Sequence, residues 1–211
     1  MIYARSPGIL LLGVLLLGGC NLSINSPIVV ADGESRTGAL VTVNGNVSIG
    51  KDCTIEGVIT TVNGSVKVGD QSNVEDLAAV NGSVRVGAGV SVEGDAESVN
   101  GLVELGAGSE VSGKVATVNG SIELERTIVQ RDVRTVNGDI ALRNNSVVKG
   151  NVVIEEKIDV SKRQQPIEIE VTGGSIIEGD VVVNRTVDVR LILSDGGKVL
   201  GKIEGAEVID N

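Results

Sequence analysis

The sequence predicts an all-β fold, a parallel β-helix (β-solenoid) of about eight coils of 18–19 residues, and three observations predict it. Val-Asn-Gly recurs six times, with asparagines at Asn44, Asn63, Asn81, Asn100, Asn119 and Asn137 and steps of 19, 18, 19, 19 and 18 residues. A segment this short cannot bury its own apolar face, so it must stack on its neighbours. After each asparagine, apolar and polar residues alternate. Glycines then punctuate the alternation at fixed offsets.

Counting each Asn as zero, position +3 is Val47, Val66, Val84, Val103, Ile122 and Ile140, and position +5 is Ile49, Val68, Val86, Leu105, Leu124 and Leu142. Between them lie Ser48, Lys67, Arg85, Glu104, Glu123 and Ala141. Apolar–polar–apolar is the two-residue period of a half-buried strand. Branched Cβ atoms suit its pleated surface. Gly50, Gly69, Gly87 and Gly106 at +6 end that strand and permit a turn with positive φ. A second apolar position at +11 holds Ile55, Val74, Val92, Val111 and Val148. Gln130 breaks it, with Ile128 and Val129 just before. A third, four residues before the next Asn, holds Ile59, Leu77, Ala96, Val115 and Val133. Each coil therefore offers three short strands separated by bends.

Asn-Gly between apolar runs is also the strongest short signal for a hairpin, and an antiparallel repeat is the alternative reading. The single period and the extra turn glycine favour a coil that returns above itself. In that arrangement the six asparagines form one row. Each hydrogen-bonds the next and tolerates a left-handed backbone. The glycines that follow them, Gly45, Gly64, Gly82, Gly101, Gly120 and Gly138, are the turn glycines of the same corner.

Along the chain, residues 1–19 read as a signal peptide. Arg5 sits in a short polar leader and Ile9 to Leu17 is an apolar run too short to span a bilayer. Residues 20–37 read as a tether, with Ile28-Val29-Val30 available as an N-terminal cap. Residues 38–211 are the solenoid. Its regular repeats run over 38–154, a polar loop over 155–166 and irregular coils over 167–211. The last part carries weaker echoes of one grammar at Ser146–Val152, Ser175–Val181 and Lys198–Ile203. No amphipathic helix is visible to close either end, and open ends permit end-to-end self-association, which Glu204, Glu207 and Asp210 would oppose at the last coil.

Composition narrows the chemistry. The chain has 211 residues with 28 acidic and 18 basic side chains, no histidine, no Phe or Trp, and Tyr3 as its single tyrosine. The interior must be Val, Ile, Leu and Ala. Without a basic stripe or stacking aromatics, a nucleic-acid partner is not expected. The outward row at +4 sets a basic patch, Lys67 and Arg85, beside an acidic one, Glu104 and Glu123. Adjacent Arg85 and Glu104 are complementary, whereas Lys67–Arg85 and Glu104–Glu123 are like pairs. That row reads as a solvated face or as a binding stripe.

Leu17-Gly18-Gly19-Cys20 resembles the lipobox of bacterial lipoproteins. The resemblance implies lipidation at Cys20, and Asn21, in place of an aspartate, implies the outer membrane. Several acyl chains anchor stably where one would not. Cys53 is then alone, without an intramolecular disulfide partner, and reads as a small filler residue. Val86-Gly87-Ala88-Gly89-Val90-Ser91-Val92-Glu93-Gly94-Asp95 is similar to bactofilins, polymer-forming bacterial β-helices. That likeness implies a right-handed coil, a hand the repeat itself leaves open. The lipoprotein leader and the Val-Asn-Gly row depart from bactofilins. Similar Val-Asn-Gly repeats occur in surface adhesins.

Catalysis finds little footing in these residues. Hexapeptide-repeat acyltransferases coil at a similar period but use a histidine, which this chain lacks. Glu93, Asp95 and Glu97, with Asp132 between Arg131 and Arg134, are the carboxylates open to a polysaccharide-acting β-helix enzyme. No Gly-Gly-x-Gly-x-Asp repeat marks a calcium site. The Thr42, Thr61, Ala79, Ser98, Thr117, Thr135 row is interrupted and reads as small-residue packing. The expectation is a non-enzymatic, cofactor-free, lipid-anchored cell-envelope protein. Its solenoid serves as a structural or interaction scaffold, able to self-polymerise. A surface adhesin binding a glycan or envelope protein is the alternative.

Overall fold

The computed structural model of the chain describes residues 21–156, 166–184 and 187–210. The signal peptide and Cys20 lie outside the described residues. So does 157–165, most of the polar loop. Every regular element among the described residues is a strand, and the strands form three parallel sheets, the faces of one β-solenoid.

The first face stacks Asn21–Ser23, Leu40–Asn44, Ile59–Asn63, Leu77–Asn81, Ala96–Asn100, Val115–Asn119, Val133–Asn137, Val152–Ile154, Val181–Val183 and Ile203–Glu204. The second runs from Ile28–Val30 through Val47–Ile49, Val66–Val68, Val84–Val86, Val103–Leu105, Ile122–Glu125 and Ile140–Arg143 to Glu207–Asp210. The third begins at Ser35–Thr37 and ends at Lys198–Val199. Two sheets have ten strands and one has nine, giving nine windings and the start of a tenth. The stack starts earlier than the repeat suggests. Residues 21–37, read as a tether, form its first winding, because Leu22 and Ile28 keep the coil spacing to Val41 and Val47 although Val-Asn-Gly is missing there.

Register turns the repeat into columns. On the first face Leu40, Ile59, Leu77, Ala96, Val115, Val133, Val152 and Val181 stack in line. On the second, Val47, Val66, Val84, Val103, Ile122 and Ile140 do so. On the third, Ile55, Val74, Val92, Val111, Val129, Val148 and Ile177 do so. No residue of these columns is more than 1% exposed. Each such side chain contributes about 1.5–3 kcal/mol of transfer free energy, which is how a narrow rod without aromatic rings acquires a core.

Gln130 does not interrupt the third face. That coil is a residue shorter before the strand, so Val129 takes the buried place between Val111 and Val148. In sequence, the polar stretch 155–166 separates Val152–Ile154 from Ile167–Val171. There the pairing distance lengthens, with Ile140 opposite Ile169, and the windings resume in phase beyond it.

Candidate functional site

The corner that joins the first face to the second carries the feature that the sequence marks most strongly. Each Asn closes a first-face strand, and its amide Nδ2 donates to Oδ1 of the Asn one coil earlier. Asn63 donates to Asn44 at 2.8 Å, Asn81 to Asn63 and Asn100 to Asn81 at 2.9 Å, Asn119 to Asn100 at 3.0 Å and Asn137 to Asn119 at 3.1 Å. Asn44 donates to Asn25 at 2.6 Å, so Asn25 belongs to the row. Sequence reasoning missed it because Ile24 and Ser26 replace Val and Gly. Its one available signal is the 19-residue step to Asn44. All these amides point the same way, so each polarises the next.

The backbone of this corner differs from expectation. Among the row only Asn25 has a positive φ, and none of Gly45, Gly64, Gly82, Gly101, Gly120 and Gly138 does. The glycines are there because the coils approach too closely for a side chain. A Cβ at Gly64, Gly82, Gly101, Gly120 or Gly138 would fall well inside 3.0 Å of the glycine carbonyl one coil earlier. The same reason replaces positive φ at Gly50, Gly69, Gly87 and Gly106. The left-handed residues fall further on, at Gly33, Asp52, Gln71, Gly89, Gly108, Arg126, Asn144 and Asn145.

Two buried polar columns serve the bends from inside. Thr61 donates to Gly45 O at 2.8 Å, Ser98 to Gly82 O at 2.8 Å and Thr117 to Gly101 O at 3.2 Å. The threonine row therefore points inward and satisfies corner carbonyls, with Ala79 as a gap and Thr135 Oγ1 buried without a partner. The other column is Cys53, Ser72, Ser109, Thr127, Ser146 and Ser175. Ser72 Oγ accepts from Cys53 N–H at 3.1 Å and donates to Gly50 O at 3.1 Å. Ser109 repeats that pattern on Val90 N–H and Gly87 O. Cys53, 1% exposed, takes a serine's place, its thiol 3.1 Å from Ala31 O. This column escaped the sequence reading because Ser, Thr, Cys and Val all occupy it.

The candidate carboxylates are engaged in similar ladders. Asp95 accepts from Lys114 N–H at 2.9 Å, and the Lys114 ammonium bridges Asp95 at 3.2 Å and Glu97 at 2.9 Å. Burial pushes the Lys114 pKa down, and the two carboxylates more than reverse it, so the net direction is up. Glu93 accepts from Asn73. Asp132 accepts from Asn151 N–H at 2.8 Å and pairs with Arg134 at 2.6 Å, and Arg134 also reaches Glu155 at 2.7 Å. Burial opposes the Asp132 charge, but that N–H and the guanidinium outweigh it and hold the carboxyl below its usual range. No group of three or more His, Cys, Asp or Glu is placed to hold a metal ion among the described residues.

Outside, the valines of Val-Asn-Gly, Val43 through Val136, form a half-buried stripe beside the asparagine ladder. On the second face Arg85 and Glu104 pair at 3.2 Å, as their spacing suggested. Comparison with family models, with curated proteins and with solved structures returned no match for this chain.

Proposed function

We propose that this is a lipid-anchored protein of the bacterial cell envelope whose solenoid works as a rigid scaffold without catalysing a reaction. The observation that carries this reading is the asparagine ladder from Asn25 to Asn137 on a backbone whose coils are also hydrogen-bonded at successive corners among the described residues. Such a ladder stiffens a long surface, and the side chains that most suggest catalysis are spent on holding neighbouring coils together. The lipobox-like Leu17-Gly18-Gly19-Cys20 supplies the anchor in this reading and the outer membrane its site. Metabolic labelling with a fatty-acid analogue tests it. Label should enter the wild-type chain, be lost in Cys20→Ala, and sediment with outer-membrane fractions. Label retained in Cys20→Ala removes the anchor.

The stripe of half-exposed valines favours a second reading, an adhesive surface for a glycan or envelope protein. Valine-to-serine replacements along the stripe separate the two. Loss of cell attachment with unchanged envelope integrity supports adhesion, and the reverse supports the scaffold.

A further inference from the structure

We propose that the second face is a self-complementary surface, on which a second copy of this chain docks side by side with its long axis reversed. The outward row reads Ser48, Lys67, Arg85, Glu104, Glu123, Ala141, one residue per coil in register. Its order is small, positive, positive, negative, negative, small. A two-fold axis along the strand direction, midway between the Arg85 and Glu104 coils, reverses that order on the facing copy. Arg85 then meets Glu104, Lys67 meets Glu123 and Ser48 meets Ala141. Shifting the copies by one coil sets Arg85 against Arg85 or Glu104 against Glu104. Parallel packing sets Lys67 against Lys67. One arrangement pairs all four charges.

A neighbouring column is compatible with the same axis at its centre. At the corner after this face lie Lys51, Asp70, Ala88, Ala107 and Arg126, linked coil to coil through their carbonyls. The axis sets Ala88 against Ala107, sets Asp70, which Lys51 of its own chain already pairs at 2.9 Å, against Arg126, and brings Lys51 to the Arg143–Asn144 corner. On the other flank it sets Ser65 against Ser121 and Ser83 against Leu102. Lys67, Glu123 and Arg126 have no ion-pair partner among the described residues of their own chain. Lys67 and Glu123 sit three coils apart, about 14 Å, too far to meet within one molecule. Gly69, Gly87, Ala88, Gly106 and Ala107 keep the centre low enough for close approach. Six coils give a surface about 29 Å long and some 20 Å wide, roughly 600 Å² from each copy, the size of a small specific interface. Complementarity of this kind sets register and orientation, and the contact is isologous and closes on itself.

The test uses the full-length chain in mild detergent. Lys67→Cys and Glu123→Cys variants are oxidised separately and mixed. The reversed pairing yields a disulfide-linked dimer in the mixture and none in either variant alone. Dimers of Lys67→Cys with itself, or none in the mixture, overturn it. Sedimentation of charge variants reads the same contact without cross-linking. Lys67→Glu and Glu123→Lys each weaken self-association at least about tenfold, since each reversal acts twice across the axis. The double exchange restores it, and added salt weakens the wild type. A wild type that stays monomeric at every concentration, or a double exchange no tighter than the single reversals, sinks the proposal. The charge-reversal outcome does not depend on the lipid anchor, and the cross-linking is run in a Cys20→Ala background so that it does not either.

Discussion

At the residue scale, two kinds of glycine do different work in this chain. Gly82 has an ordinary φ but no room, because an added Cβ would strike the Gly64 carbonyl. Gly108 has room but a φ of +77°. Gly82→Ala should therefore cost about 3 kcal/mol, since coils cannot separate locally without straining the ladders on either side. Gly108→Asn should cost less than about 1 kcal/mol, as Asp52, Gln71 and Asn145 already tolerate the same corner. Urea unfolding of the two variants checks the contrast. The distinction is not legible in sequence. Gly82 recurs in all six Val-Asn-Gly coils and Gly108 alternates with Asp52, Gln71 and Asn145, but only the distance between coils shows that the first is crowded and the second left-handed.

At the scale of elements, the columns were legible because like stacks on like. Val84 above Val66 and below Val103 needs nothing beyond the repeat and the two-residue alternation. Positions where the column accepts several chemistries were not. Asn25 lacks its valine and glycine, and the column of Ser72 and Ser109 also accommodates Cys53 and Val90. Of the aspartates at the bend into the first face, Asp95 stood out in an acidic group and Asp132 between two arginines, Asp76 did not stand out, and their shared role as acceptors for the next coil's N–H required the structure. Asp132 gives that role a pH signature. Its carboxyl titrates below the usual range when folded, so its contribution is complete above that range and is lost only as pH falls on through the lowered value. Asp132→Asn keeps an oxygen acceptor for Asn151 N–H but drops the charge facing Arg134. Its unfolding free energy should be lower than wild type near pH 7, and the two curves should begin to converge below about pH 5 and meet only beneath the ordinary carboxylate range. Equilibrium unfolding across that interval measures it.

At the scale of the molecule, stability is a sum over coils and the contacts between adjacent coils. Removing one full winding, Gly82–Asn100, joins Asn81 to Gly101 and presents each surviving column with a residue of the same kind. The shortened chain should keep its β-sheet circular dichroism and melt only a few degrees lower, whereas removal of nine or ten residues should abolish cooperative melting. The same construction governs how the rod meets a pulling force. Every strand pairs only with the windings directly above and below it, so tension applied between the chain's two ends loads one winding at a time. A stretched rod therefore unravels in discrete steps, each releasing about 60 Å of slack from some nineteen residues. It behaves as a fuse, which yields in increments while the remaining windings stay intact.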